Sequence, residues 1–296
     1  NYLDSVNKHQ IYISRLATGI LKDGVYPSIN SAYKAVRLVL AKYGDINSIN
    51  DVNKVNAAIN KAISENLAVG FTAATTSMST IAVNEAAYTA GLLSSAAATL
   101  SVPGESKINK YVRESIMSLS SGKSVTATTW EKYVKGFIGN GKLDSTGNMA
   151  RAYNNIITSA FNDSLTSGKM ETLGQLTKRF RASNENILRR DAETLVRTGV
   201  QHYANRANQL MAADNSDIIE REIPVVTFDS RTSDVCISIT SKYPKGWLQG
   251  KSPIGYPPYH YGCRTIIGYL LYGQTEFEGT KASKGAEGGK QIAATT

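Results

Sequence analysis

The chain has 296 residues, 42% of them hydrophobic and 19% charged, with 33 Lys and Arg against 24 Asp and Glu. That length allows two domains, each with its own core, and the net charge of +9 suits an acidic partner such as DNA, although an evenly solvated basic surface gives the same figure. Two cysteines, Cys236 and Cys263, are too few for a disulfide-stapled scaffold.

The opening segment NYLDSVNKHQIYISRL has no apolar core followed by a small-residue cleavage site, so no secretory signal is expected, and the start at Asn1 reads as processing or trimming. Ile29, Tyr33, Val36, Leu40 and Tyr43 form an apolar stripe at helical spacing, with Gly44 as its stop. Val52, Val55, Ile59, Ile63 and Leu67 form a second stripe, with Asn50 in the N-cap position. Between Leu67 and Val102 the one charged residue is Glu85. This stretch of Ala, Thr, Ser and Gly has too few large apolar side chains to offset its polar groups in hydrocarbon, so it reads as a helix packed closely against protein rather than a membrane span.

Pro103-Gly104 is a break. The pattern after it predicts shorter helices carrying Ile108, Tyr111, Val112 and Ile116, then Trp130, Tyr133, Val134, Phe137 and Ile138, then Met149, Tyr153, Ile156, Ala160 and Phe161. Leu188, Ala192, Leu195, Val196, Gly199, Tyr203, Ala207 and Leu210 make one continuous helical face. The period then changes. Glu220 to Phe228 and Arg264 to Tyr272 read as two antiparallel strands joined by an irregular Gly/Pro/Tyr-rich loop, with Pro224 at an edge or strand start. From Gly273 the chain is rich in Gly, Lys and Ala without periodicity, as in a flexible tail. The expected fold is mainly α with a C-terminal α+β module and a small antiparallel sheet near the C-terminus: a helical region over 1–105, a helical plus small-sheet module over 106–272, and a tail over 273–296.

The chemistry-bearing residues concentrate between Asp229 and Arg264. Cys236, His260 and Cys263 are soft or borderline ligands, and the HxxC spacing suits one zinc ion. Zinc normally takes four ligands, and Ser233 stands where a CxxC pair would supply the fourth, leaving an oxygen of Asp229 or Asp234 as the substitute. The same residues are open to other readings: two buried thiols, a disulfide outside a reducing cytoplasm, or a His260 that fixes the Pro-Pro-Tyr-His turn. Asp229 at a strand end suits acceptance of backbone N–H groups from the next turn, Thr232 or Ser233 suits the cap of a short helix carrying Cys236, and Arg231 suits a crossing to a carboxylate or carbonyl. In the long helix, Lys178, Arg179, Arg181, Arg189, Arg190, Arg197 and Arg206 are candidate phosphate contacts, with Glu185, Asp191 and Glu193 among them as local salt-bridge partners. An enzymatic alternative, a nuclease or other hydrolase, would use His260 with Asp229 and Arg231 or Arg264. The chain has no P-loop, HExxH, GxSxG or dinucleotide fingerprint, and His9 and His202 lie in helical stretches without a companion motif.

Asp229, Arg231, Thr232 and Cys236, followed by Pro257, Pro258, His260, Cys263 and Arg264, resemble the C-terminal signature of phage head-morphogenesis proteins, the minor head protein family related to protein F of phage Mu. Arg197, Thr198, Asn205 and Ala207 resemble the family's upstream helix, and Gly168-Lys169 to Phe180 resembles its helical approach. The resemblance covers about residues 165–272. It departs from the family at Ser233, where a Cys is usual, and at Gly199, where a Glu is usual. It implies a low-copy component of a tailed-phage virion, assembled in the host cytoplasm and associated with the portal and capsid interior, with a part in head assembly or DNA delivery. The implied partners are the portal, the major capsid protein, further copies of the chain and genomic DNA. A third alternative is an internal virion protein, ejected with the DNA, whose N-terminal part contacts DNA or membrane.

Overall fold

The computed structural model describes residues 2–43, 46, 48–94, 99–121, 124–138, 149–169, 171–274, 283–284 and 290–293. It is mainly helical, with a small antiparallel sheet in the C-terminal part. The elements in order are α1 (Tyr2–Ile20), a π-helical turn (Leu21–Val25), α2 (Tyr26–Tyr43), α3 (Ile49–Ser94), α4 (Glu105–Glu114), β1 (Ile116–Ser121), β2 (Ser124–Thr129), α5 (Trp130–Phe137), α6 (Met149–Ser167), α7 (Leu173–Asp214), β3 (Ile219–Phe228), α8 (Asp234–Lys242), β4 (Trp247–Leu248), β5 (Ile266–Leu271), β6 (Ser283–Lys284) and β7 (Lys290–Ala293). The chain divides into two compact units with interleaved segments: unit 1 holds Asn1–Thr18, Thr76–Trp130 and Leu195–Thr296, and unit 2 holds Gly19–Thr75 and Glu131–Thr194. Residues 1–105 thus contribute to both.

Unit 2 is helical and follows the apolar periodicity directly. Ile29 and Val36 of α2 and Val55, Ile59, Ile63 and Leu67 of α3 are fully or almost fully buried. Burying an aliphatic side chain of this kind stabilises by about 1.5–3 kcal/mol. Small residues set how closely the helices approach. A Cβ on Gly70 would lie 2.2 Å from Ser28 Oγ and 2.6 Å from Ser28 Cβ, so only glycine lets α3 pass α2 at this point. An aromatic group closes the core, with Tyr153 of α6 stacked on Phe180 of α7 at 3.6 Å and Tyr33 of α2 edge-on to Phe180. The cap of α3 is Ser48 rather than Asn50: its hydroxyl accepts the Asp51 N–H and donates to the Asp51 carboxylate, so the helix starts with a reciprocal capping pair. Gly44, the expected stop of α2, lies outside the described residues.

Unit 1 carries the sheet. Strands β3 and β5 pair antiparallel from Ile219↔Leu271 to Val225↔Ile266, β4 pairs with Arg221 and Glu222, and β7 pairs with Val225 to Phe228. Pro224 is therefore mid-strand rather than at a strand start, and it stands at a locally open edge of β3, where β5 is its one partner strand. It is tolerated because Ile223 and Pro224 have a partner on one edge only, so the missing N–H interrupts no second ladder. Of the expected tail, Ser283–Lys284 and Lys290–Ala293 are paired strands, and residues 275–282, 285–289 and 294–296 lie outside the described residues. The segment expected as a helix through Ile116 ends at Glu114 and continues as the β1–β2 hairpin. Its alternation is short, with Met117 and Leu119 facing inward among Ser and Thr.

The small-residue part of α3 in unit 1 buries Ala82, Ala86 and Ala90. Glu85 is buried beside them, and its carboxylate meets His9 Nε2 of α1 at 2.5 Å, while the His9 ring stacks on Tyr88 at 3.7 Å. The one acidic side chain of the stretch thus has a hydrogen-bond partner, as a buried polar group requires. Among the described residues no helix is long and apolar enough to cross a membrane.

Candidate functional site

The loop between β3 and β5 is built on a turn that Asp229 organises. Its Oδ1 accepts the Arg231 N–H at 2.9 Å, and its own N–H is bonded to Thr232 Oγ1 at 2.8 Å, with the Thr232 hydroxyl donating to the Thr227 carbonyl. Ser233 then caps α8 by accepting the Cys236 N–H. The result places Cys236 in the first turn of α8, buried, with its sulfur turned toward the far end of the loop.

That far end returns through Pro257-Pro258, a cis peptide, to His260 and Cys263. Cys236 Sγ lies 3.1 Å from His260 Nε2 and 3.8 Å from Cys263 Sγ, and the Thr265 hydroxyl donates to Cys236 Sγ at 3.1 Å. Both thiols are free. His260 Nδ1 is 2.9 Å from the Tyr261 carbonyl, which leaves Nε2 as the nitrogen facing sulfur. The three ligand atoms all lie within 4.8 Å of one another. Asp234, expected as a fourth ligand, is exposed in the first turn of α8 and is not among them.

The two thiols are electrostatically unequal. The hydrogen bond with Cys263 and burial push the Cys236 thiol up, to about 12. Burial also opposes ionisation of Cys263, but the bond from Cys236 and those from the backbone of Tyr259 and Thr265 together outweigh it and bring that thiol down to about 6. One proton shared by two sulfurs is the expected state of such a close pair. Burial alone would lower His260, but its bond to Cys236 and the charge there raise it overall.

Two layers of contacts brace this cluster. Arg264 closes the loop base with a two-pronged pair to Asp229, which holds that carboxyl below the usual range despite partial burial. Arg231 is 60% exposed, 3.8 Å from the same carboxylate, so the residue that crosses the loop is Arg264. From the other side, helix α7 contributes Thr198 and Asn205, both buried. Thr198 Oγ1 accepts the Gly262 N–H at 2.9 Å, and Asn205 Nδ2 donates to the Thr265 carbonyl at 3.4 Å and to the Gln201 carbonyl at 2.9 Å. These bonds grip the backbone on both sides of Cys263. Gly199, beside Thr198, is where a Cβ would lie 2.5 and 2.7 Å from the Trp130 ring and 2.9 Å from Met78 Sδ. A side chain larger than glycine therefore has no room at this position.

Further buried polar groups escape sequence reasoning because their partners lie far along the chain. Glu222, fully buried on β3, accepts from Trp247 Nε1 and the Tyr256 hydroxyl, each at 2.7 Å; burial raises its carboxyl and these bonds partly offset the rise. Gln10 of α1 donates to the Arg264 carbonyl and its Oε1 accepts the Thr227 hydroxyl at 3.1 Å, tying α1 to both ends of the loop. Composition marks neither, and Glu222 follows Glu220 and Arg221, so nothing in the local sequence singles it out as the buried one.

Of the candidate phosphate contacts, Arg179 is bonded to Glu171 and to Ser159. Arg189 lies over the Tyr26 ring and reaches Asn30. Lys178 is exposed, and Arg190 is exposed with its Nε 3.6 Å from the Asp191 carboxylate. Arg206 bonds to Gln209 and the Ile116 carbonyl. The Arg181 side chain lies outside the described residues. No protein family, no curated protein and no solved structure matches the chain.

Proposed function

We propose that the chain is a minor structural component of a tailed-phage head, of the head-morphogenesis type, associated with the portal and capsid interior and acting in head assembly or DNA delivery. One observation supports this reading: the residues that carry the resemblance come from separate parts of the chain and meet in one braced cluster, Thr198 and Asn205 on Gly262 and Thr265, Asp229 on Arg264, and Cys236 on His260 and Cys263. Most of these groups hold backbone or one another, as in a module stabilised to present its outer surface to larger partners. The portal, the major capsid protein and further copies of the chain are the proposed protein partners. Genomic DNA suits the net charge and the exposed Lys178 and Arg190.

The test is quantitative mass spectrometry on purified, DNA-filled particles from a host carrying the gene, repeated after triggered DNA ejection. A low, fixed copy number that stays with the emptied head supports the proposal. Departure with the DNA assigns the chain to the ejected proteins, and absence from the particle removes the structural reading.

A further inference from the structure

We propose that Cys236, His260 and Cys263 hold a single zinc ion whose fourth coordination position is open to solvent and carries water. The inference rests on the geometry of the cluster and stands whatever the particle assay shows.

The sulfur separation matches that of two thiolates on one tetrahedral ion. Two thiolates on one tetrahedral zinc, with Zn–S bonds of ~2.3 Å, stand ~3.8 Å apart, and Cys236 Sγ and Cys263 Sγ stand 3.8 Å apart. A disulfide would need ~2.05 Å. His260 is oriented as zinc-bound histidines are: one ring nitrogen faces a backbone carbonyl, that of Tyr261, and the other faces sulfur. Thr265 adds a hydroxyl donor to Cys236 Sγ, which is the kind of outer bond that stabilises a metal-bound thiolate. Three soft or borderline donors converging from α8 and from both sides of Tyr261-Gly262, fixed in turn by Thr198 and Asn205, make a site prepared before any ion enters.

Among the described residues the surroundings supply no fourth protein ligand. The neighbouring oxygens that would close the shell are engaged or turned away. The Asp229 carboxylate is held by Arg264, the Ser233 hydroxyl accepts the Cys236 N–H, and Asp234 is exposed outside the cluster. A small groove bounded by Arg231, Thr232, Ser233 and Thr265 reaches Cys236 and His260, while Cys263 is buried behind them. Three protein ligands with a solvent approach to the fourth position is the arrangement that leaves zinc able to take water or an exogenous ligand, in contrast to a closed four-ligand structural site. With two thiolates and a neutral imidazole the ion's charge is balanced, so the open position accepts a neutral water without a further counter-charge.

The experiment uses the full chain, purified under reducing conditions with zinc supplied. Metal content is measured, zinc is then exchanged for cobalt(II), and azide is added as a probe of the open position. One metal per chain, intense visible bands of tetrahedral cobalt with thiolate charge transfer, and a change of those bands on adding azide are the expected results. The bands should vanish in His260→Ala and Cys263→Ser, with circular dichroism as the check on folding. Ser233→Cys, which supplies the missing CxxC thiolate, should tighten zinc binding and abolish the azide response. Absence of stoichiometric metal from the wild-type chain overturns the site. Bound metal whose wild-type spectrum ignores azide, or whose shell changes in Asp234→Ala, overturns the open position.

Discussion

Asp229 and Arg264 face each other in a two-pronged ion pair, Oδ2 to Nη1 at 2.7 Å and Oδ1 to Nη2 at 2.5 Å, joining the two ends of the loop that carries both cysteines. The carboxylate is only 11% exposed and also accepts the Arg231 N–H, so it orders the first turn of the loop and the last at once. Asp229→Asn keeps an oxygen for the Arg231 N–H but loses the charge and one prong. It should lower stability by about 2 kcal/mol, the scale of a charge-assisted hydrogen bond. Because the pair depresses the folded-state carboxyl, its contribution is present above the usual carboxylate range and is lost as pH falls below it. Urea unfolding of wild type and variant at pH 7 and pH 3 checks this: the difference should shrink at the lower pH, and an unchanged difference would contradict the ion-pair account.

Thr198→Val keeps the volume of a buried side chain and removes the acceptor for the Gly262 N–H. A buried donor left without its partner costs about 1–3 kcal/mol, and Thr198→Ser should recover most of the loss. Thermal unfolding of both variants separates the hydrogen bond from the packing, since a bond-based effect appears in the valine variant and largely disappears in the serine variant.

Gly199→Ala places a Cβ against the Trp130 ring and Met78 Sδ. Overpacking of this kind costs about 1–3 kcal/mol, and Gly199→Glu, with no outlet for its carboxylate, should fail to give a folded chain. Tryptophan fluorescence reports the alanine variant directly, because Trp130 is one of only two tryptophans.

His202 is buried on α7 with Nε2 3.1 Å from the Val112 carbonyl. Burial, reinforced by the nearby Arg206 charge and opposed by the Val112 bond, brings its imidazole down to about 3, against 6.5 in an exposed chain. Between those values the unfolded chain takes up a proton that the folded chain refuses, so stability falls as pH drops from 6.5 toward 3. At pH 5 the loss is about 2 kcal/mol, taking 1.4 kcal/mol per pKa unit. His202→Gln retains an N–H in reach of Val112 and does not titrate. Its midpoint should therefore change less than that of wild type between pH 7.5 and pH 5, and parallel curves would exclude His202 as the acid-sensitive group.

Regular elements were legible wherever burial repeats along one face. The stripes of α2, α3 and α7 and the two β-branched runs of β3 and β5 read directly, because period 3.6 and short apolar runs reflect local geometry. The β1–β2 hairpin was not legible. Its inward face amounts to Met117 and Leu119 among serines and threonines, and it is held partly by a backbone bond from Ser120 to Tyr259 far along the chain. In the candidate site, the turn at Asp229, the cap at Ser233 and the Cys/His grouping were readable as residue types with characteristic uses. The partner of Asp229 was not, since Arg231 and Arg264 differ only in where the fold returns the chain. His9 and Glu85 show the same limit more sharply: 76 residues apart, neither indicates the other until α1 and α3 are side by side.

The interleaving of the two units has a consequence for the gene. The chain crosses between them after Thr18, Thr75, Trp130 and Thr194, so no contiguous stretch of coding sequence specifies either one alone. A recombination event that swaps one half of the gene for a homologous half replaces parts of both cores at once, and every buried face on one side of the join must match its new neighbour. A library of chimaeras with single crossovers should therefore yield folded products only where parental cores are nearly identical.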